Sequence, residues 1–487
     1  MVLRAPKLTF VKAEYMTAAI GELKLIMRVI ALSLLLSLQA FAQEKTVNEV
    51  TPAVQVVAPA PSPSVSPSPT PGGTPEPTTN MEAEKSAPVS TVMVTKAEDL
   101  KAFPKFSFKS YGYFTFSQAE TFKAVNDLTK YNRRKMDLAE IAFEGNYELT
   151  PTSKIEFEVE IEHGGVGTAM EFDPFEEFGE FETEVEKGGE VALPEFVYKK
   201  SFPTTDSVLK VGKFPLFISI GTILEKPSRF YAIQASDVEA AMIPYHWNEL
   251  GVQAEQKIWK FTGRLGLVSG LNSEFFRSYS WVGGGYQRQF ENVNADDLAT
   301  VASLEFGSVA KGSGVGLAYY NGNSQNNRYK KDKLTVSAEV EIWSLLVNYR
   351  IWKFQLTGES LRGTLENSDK VALANSTLGG LAKPKSFAPL GHKAVLDSVQ
   401  LAYDIFDDNT LVPYVRWEHV NTFDEVQGSI TKYPRYDWTR SSAGLMWAWD
   451  QGAFMKFQYA EDRTELIGMP ETKWFGLAFG FDIAKFN

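Results

Sequence analysis

In residues 154–162, KIEFEVEIE, every second side chain is apolar and each of the others is charged. Ile155, Phe157, Val159 and Ile161 share one face of a strand, and Glu156, Glu158, Glu160 and Glu162 share the other. A helix would scatter both sets around its axis, so the spacing demands a β-strand. The same period runs from about residue 105 to the end. Phe106, Phe108, Phe114 and Phe116 oppose Lys105, Lys109, Tyr111 and Tyr113, and Ile141, Phe143, Tyr147 and Leu149 oppose Glu140, Glu144, Asn146 and Glu148. Leu334, Val336, Ala338, Val340 and Ile342 alternate with Thr335, Ser337, Glu339 and Glu341. Phe475, Leu477, Phe479, Phe481 and Ile483 close the series.

A β-sandwich or propeller also alternates, but its solvent face would not be this apolar strand after strand. The 34 Phe, 19 Tyr and 10 Trp supply both a hydrocarbon-facing surface and interfacial girdles. Downstream of residue 42 no apolar run reaches the ~20 residues of a membrane helix, so a membrane home requires a closed barrel. The expected fold is therefore all-β, a transmembrane antiparallel barrel over 105–487. Its length suits about 16 strands, with 14 or 18 as alternatives, and a barrel of that size keeps an aqueous lumen. The 150–153 stretch, Thr-Pro-Thr-Ser, reads as a tight turn, while 162–194 and 358–392 read as long loops.

Residues 27–42, MRVIALSLLLSLQAFA, carry a basic start, an apolar run and an Ala-Phe-Ala end, which is a secretory signal with cleavage after Ala42. The 26 residues before Met27 exceed an ordinary n-region, so Met27 or Met16 is the expected start. Residues 43–104 are Pro- and Ser-rich and are expected to form an extended periplasmic linker with peptidoglycan as its available contact. The expected location is the outer membrane of a Gram-negative-type bacterium, amid outer-membrane lipid and lipopolysaccharide.

The net charge of −11 and the absence of a basic block exclude nucleic acid as a partner. Cysteine is absent, which removes thiol chemistry and Cys-ligated metals. The four histidines, His163, His246, His392 and His419, have no metal-ligand spacing, so neither metal nor cofactor is expected. Residues 312–316, GSGVG, lack a phosphate-loop lysine and read as a bulge or tight wall packing. No catalytic pair stands out, and the chain is not expected to be an enzyme. Trp343, Trp352, Trp417, Trp438, Trp447 and Trp449 fit an interfacial girdle or, alternatively, a stacking path for sugars.

The run VLKVGKFPLF at 208–217, followed by Pro227 and then WNELGVQ at 247–253, resembles the phosphate-selective porin family, as does Phe143-Glu-Gly145 before the Thr-Pro turn. The resemblance implies a 16-stranded barrel, a homotrimer, a loop folded into the lumen and basic ladders that capture anions. Here the early inward positions are carboxylates, so phosphate selectivity is not expected. Phe486 also falls on the wrong parity for an outward terminal aromatic, which calls for a bulge.

The pore-lining candidates are Glu140, Glu144, Glu148, Glu156, Glu158, Glu160, Glu162, Glu339, Glu341, Arg350, Lys353, Arg416, Glu418 and Lys456. The constriction is assigned to the acidic loop at 170–190, through Glu171, Asp173, Glu176, Glu177, Glu180 and Glu182. Inward carboxylates either concentrate cations in the lumen or pair with neighbouring Lys and Arg, and both readings stay open. The function expected is passive diffusion of small hydrophilic solutes or ions. The alternatives are an envelope anchor or adhesin, and a secreted carbohydrate-binding β-protein.

Overall fold

Sixteen antiparallel strands each pair with their sequence neighbours, and the last pairs with the first, so the sheet has no free edge. The computed structural model describes residues 103–124, 127–164, 169–171, 184–186, 190–287, 292–379, 384, 387–449 and 452–486. The expected signal peptide and nearly all of the linker lie outside these residues. The strands are β1 (Lys105–Ala124), β2 (Asp127–Thr150), β3 (Ser153–Glu162), β4 (Glu190–Phe202), β5 (Ser207–Pro215), β6 (Asn248–Ile258), β7 (Phe261–Ser269) and β8 (Leu298–Phe306). The circuit continues through β9 (Ser313–Asn323), β10 (Glu339–Ile351), β11 (Phe354–Leu365), β12 (Lys393–Tyr403), β13 (Leu411–Glu425), β14 (Asp437–Trp449), β15 (Ala453–Thr464) and β16 (Thr472–Phe486). Among the described residues no helix is long and apolar enough to cross a membrane.

Connections at one end are short: 151–152, 203–206, 259–260 and 352–353. At the other end they are mostly long: 216–247, 270–297, 324–338 and 366–392. The last of these starts later than the sequence suggested, because Gly358 lies within β11. A further long-end connection, between β3 and β4, contains a two-stranded pair, Ala169–Glu171 with Glu184–Glu186.

The outer surface is where the alternation matters. Phe106, Phe196, Leu267, Leu317, Leu345 and Val415 are exposed on it, and an uninterrupted apolar belt of this kind is unstable in water. Aromatic clusters border the belt. Near the short turns, Trp259 packs with Phe261 and Phe306, Phe354 with Tyr403, and Trp447 with Trp449; Trp352 there is 87% exposed. Towards the long loops Tyr319 packs against Trp343. From Ile351 to Trp343 is roughly 26 Å of strand, which at the tilt of a barrel approaches the ~25 Å apolar band of outer-membrane proteins. Trp438 is the exception among the candidate girdle residues, since it is buried inside.

The end of the chain resolves the parity conflict at Phe486. Between the pairs Phe108↔Phe486 and Ser110↔Ile483, β16 advances one residue more than β1. This bulge puts position 486 in register with outward Phe108.

Candidate functional site

The lumen is not an open bore. After β5 the chain turns inward at Leu216, and residues 216–247 cross the barrel interior before β6 begins. Its apolar side chains find an apolar wall there. Ile218, Val238, Met242, Ile243 and Trp247 join one buried cluster with Val340 and Ile342 of β10, Leu361 and Leu365 of β11, Leu396 of β12 and Val420 of β13. The 270–297 connection adds Leu271, Phe276, Trp281 and Val282 to the same cluster. The helix α2 (Ser368–Ser376) adds Val371 and Ala372; the short helix α1 (Ile220–Ile223) lies within the infolded loop. Two wall glycines allow this approach. A Cβ at Gly316 would stand 2.7 Å from the Phe217 ring, and one at Gly363 would stand 2.4 Å from the Trp281 ring. The GSGVG stretch is thus tight wall packing, as its sequence suggested.

This inner core explains a correction. Val340 and Ile342 are fully buried and inward, so Glu339 and Glu341 point outward with Trp343. The sequence pattern placed them the other way, because it assumed that apolar residues always meet lipid. The outward carboxylates lie beyond Trp343 at the long-loop end, where Trp343 Nε1 donates to Glu341 Oε1 at 2.7 Å. They do not line the lumen.

Buried charges lock the loop against the opposite wall. Arg416 of β13 pairs with Asp237 of the loop and, at 3.1 Å, with Glu418. Its guanidinium also donates to the carbonyl oxygens of Gln234 and Ala235 at 2.9 and 3.2 Å. The Asp237 N–H donates to Glu418 at 3.0 Å, and Arg440 of β14 holds Asp462 at 2.6 Å and Asp237 at 3.4 Å. Lys456 of β15 donates to the Pro227 carbonyl at 2.6 Å and lies 3.7 Å from the Phe230 ring centroid. Arg416, Glu418 and Lys456 are therefore inward, as expected, but they secure the loop instead of meeting solvent. Arg350 pairs with Asp404 near the short turns, and Lys353 donates to the Ile405 carbonyl at 2.8 Å.

A second attachment is a pair of carboxyl groups. Glu239 accepts from the Gly221 N–H, and Glu359 of β11 accepts from the Ile220 N–H at 2.9 Å. Burial, followed by the neighbouring Glu359, pushes the Glu239 carboxyl well above its usual range. A carboxyl raised in the folded state contributes fully below the unfolded value of ~4.3. That contribution falls as pH rises from there towards the raised value, by up to about 1.4 kcal/mol per pH unit. Glu239→Gln is expected to flatten this part of the pH dependence, read as the unfolding temperature of the folded barrel in detergent across pH 4–9.

The loop leaves space beside β1–β7. Towards the short turns a chamber of about 590 Å³ is lined by Lys109, Glu144, Glu156, Glu158, Glu195, Lys210, Lys226 and Arg264 among others. Most of the acids and bases here are paired: Lys199 holds Glu156 and, at 3.0 Å, Glu195; Lys226 holds Glu144; Arg264 holds Glu255 at 3.1 Å and Glu305 at 2.7 Å. Towards the long loops a chamber of about 570 Å³ is lined by Tyr113, Asp137, Glu140, Glu162, Asp237, Tyr245 and His246 among others. It is mainly acidic, and its one arginine, Arg440, is already engaged by Asp237 and Asp462.

Between the chambers lies a neck of Tyr111, Glu140, Glu158, Glu160, Glu225 and His246. Tyr111 is 2% exposed and donates its hydroxyl to Glu158 Oε1 at 2.9 Å; Glu160 is 1% exposed. Burial, then Glu158, Glu160 and Glu140, push the loop carboxyl Glu225 well above its usual range. Of the candidates, Glu144, Glu156 and Glu158 line the chamber near the short turns, Glu140 and Glu162 line the other, and Glu160 is buried between them, with Glu148 on the same inward face of β2 beside Lys154. Of the acidic-loop candidates, Glu171 falls in the short strand pair, and Asp173, Glu176, Glu177, Glu180 and Glu182 lie outside the described residues. Among the described residues the lumen is occupied by 216–247, packed with part of 270–297. Sequence reasoning assigned no role to Glu225, Asp237, Glu239 and His246 of 216–247; the available signal was a loop rich in Ile, Ala and aromatic residues, unlike a solvated connection.

No protein-family model matches the chain, nor does any curated protein sequence. Among solved structures, the chain is similar to an anion-selective porin from Comamonas acidovorans, at 8% identity and a TM-score of 0.45 over 78% of this chain and 100% of that one. It is similar to the outer membrane channel DcaP of Acinetobacter baumannii, at 8% identity and a TM-score of 0.46, over 77% and 97% of the two chains. Salmonella typhi OmpF, in a complex with daunomycin, aligns at 12% identity and a TM-score of 0.45 over 77% and 97%. Residue roles do not transfer at such distances, and the barrel stands on its own strand pairing.

Proposed function

We propose that the chain is a passive, cation-favouring channel in the outer membrane of a Gram-negative-type bacterium, passing small hydrophilic solutes or ions. The observation that carries this reading is a pair of polar chambers on either side of an acidic neck, inside a closed barrel whose exterior is apolar. Carboxylates in a narrow wet passage bounded by low-dielectric walls concentrate cations and repel anions. The paired charges of the larger chamber hydrate the wall and contribute little net field, so the neck sets the preference. Phosphate capture is disfavoured there, since Lys154, Lys210, Lys226 and Arg264 of the chamber are each paired with a carboxylate.

Reconstitution of the purified chain into a planar bilayer tests the proposal. Discrete current steps are expected, with a reversal potential of cation-selective sign in a KCl gradient. Silence would favour the anchor or adhesin reading, whose one argument is how tightly Tyr111, Glu160 and His246 close the neck. Assembly as a homotrimer, a surround of lipopolysaccharide and contact of the Pro-rich segment with peptidoglycan belong to the same proposal.

A further inference from the structure

In the neck, three side chains from distant parts of the sequence converge: Glu160 from β3, Glu225 from the middle of the infolded loop and His246 from its end. Each offers one donor atom, and these atoms all lie within 4.8 Å of one another. The His246 Nδ1 is 3.9 Å from Glu225 Oε1. That oxygen is buried and has no hydrogen-bond partner, a costly state for a carboxylate. His246 is itself constrained, at φ 48°, with its ring stacked 4.0 Å from that of Tyr245.

Among the described residues the groups around the cluster are mainly acidic. Glu140 and Glu158 flank it on neighbouring strands, and both are buried. The nearby lysine, Lys226, is committed to Glu144 and lies 5.5 Å from the Tyr111 ring centroid. A carboxylate oxygen buried without a hydrogen-bond partner, with a second carboxylate and an imidazole beside it, is a ligand set for a cation.

We propose that Glu160, Glu225 and His246 bind a divalent first-row transition-metal ion in the neck. Two carboxylate oxygens and one imidazole nitrogen favour such an ion over Mg²⁺ or Ca²⁺, which prefer all-oxygen sites. Metal–ligand bonds of about 2.0–2.2 Å bring donors closer together than 4.8 Å, so small side-chain rotations complete the site. The remaining coordination positions face the chambers and take water. On the channel reading above, the bound ion sits astride the passage, but the binding itself does not depend on that reading.

The test is equilibrium dialysis of the refolded full chain in detergent against Zn²⁺, with no added histidine tag. The chain has four His and no Cys, so competing sites are few. One saturable ion per chain is expected. Glu160→Gln and His246→Asn should each weaken it by at least about tenfold, while Glu341→Gln on the outer surface leaves it unchanged. Each variant is first checked for the heat-dependent gel shift of a folded barrel. Substituting Co²⁺ gives a second readout, since loss of the imidazole in His246→Asn should change its visible absorption. Absence of a saturable site in folded barrels overturns the proposal, and so does an affinity unchanged from the parent chain in both ligand variants. Current recorded in metal-free buffer tests the channel separately.

Discussion

Arg416→Ala is expected to release the infolded loop from the wall and to produce the largest stability loss of any single substitution in the lumen. Arg416 is 1% exposed, Asp237 3% and Glu418 0% in their side chains. Removing the guanidinium leaves two buried carboxylates facing each other and two loop carbonyls without their donor. Breaking a buried ion pair from one side costs about 3–5 kcal/mol. The loss should appear as a lower unfolding temperature in detergent, and in bilayers as larger, noisier current steps. The triple variant Arg416→Met, Asp237→Asn, Glu418→Gln removes the charges together and should recover much of the stability, because a neutral set carries no unpaired ion. If Arg416→Ala left both the unfolding temperature and the step size unaltered, the loop would not be held by this clamp.

The second large effect concerns selectivity. Glu158→Gln with Glu160→Gln removes two neck carboxylates while keeping their shape, and the reversal potential in a KCl gradient should move strongly towards zero. Glu341→Gln makes the same chemical change on the outer surface and should leave the reversal potential where it was. The comparison separates the two faces of the sheet, since all three residues are glutamates in strands of similar pattern. Equal shifts in both would mean that net charge alone, and not the neck, controls ion preference.

The barrel was legible because its signal is local. In residues 154–162 of β3 one face is wholly charged and the other wholly aliphatic or aromatic, so nine residues suffice to fix both strand and facing. In β10 the same rule gave the strand but inverted its facing. Val340 and Ile342 alternate as cleanly as Ile155 and Phe157, yet they pack on Met242, Trp247 and Trp281 inside the barrel. Periodicity reports that a face is apolar, not which apolar environment it meets.

The site was only half legible for the same reason. The acidic row of β2 and β3 could be read directly, and the structure turns it towards the passage. What divides that passage comes from residues 216–247, where no period exists and where Glu225, Asp237, Glu239 and His246 acquire meaning from partners more than 60 residues away. The loop at 170–190 attracted attention through its dense charge, whereas the loop that enters the lumen among the described residues is marked by apolar residues, because it has to pack there. Ligand spacing along the sequence could not reveal Glu160, Glu225 and His246 together, since the first lies in β3 and the other two stand well apart within the infolded loop.

A single-cysteine scan along residues 154–162, with the chain reconstituted in lipid vesicles, tests the central claim most directly. The chain has no native cysteine, so each label reports one position. Labels at 155, 157, 159 and 161 should be quenched by spin-labelled lipid and ignore polar thiol reagents. Those at 156, 158 and 162 should react with small polar reagents and escape the lipid quencher. Two interleaved sets of that kind are the expected result; water-accessible labels at 155, 157, 159 and 161, or lipid quenching at both sets alike, would contradict a barrel with hydrocarbon outside and a wet passage within.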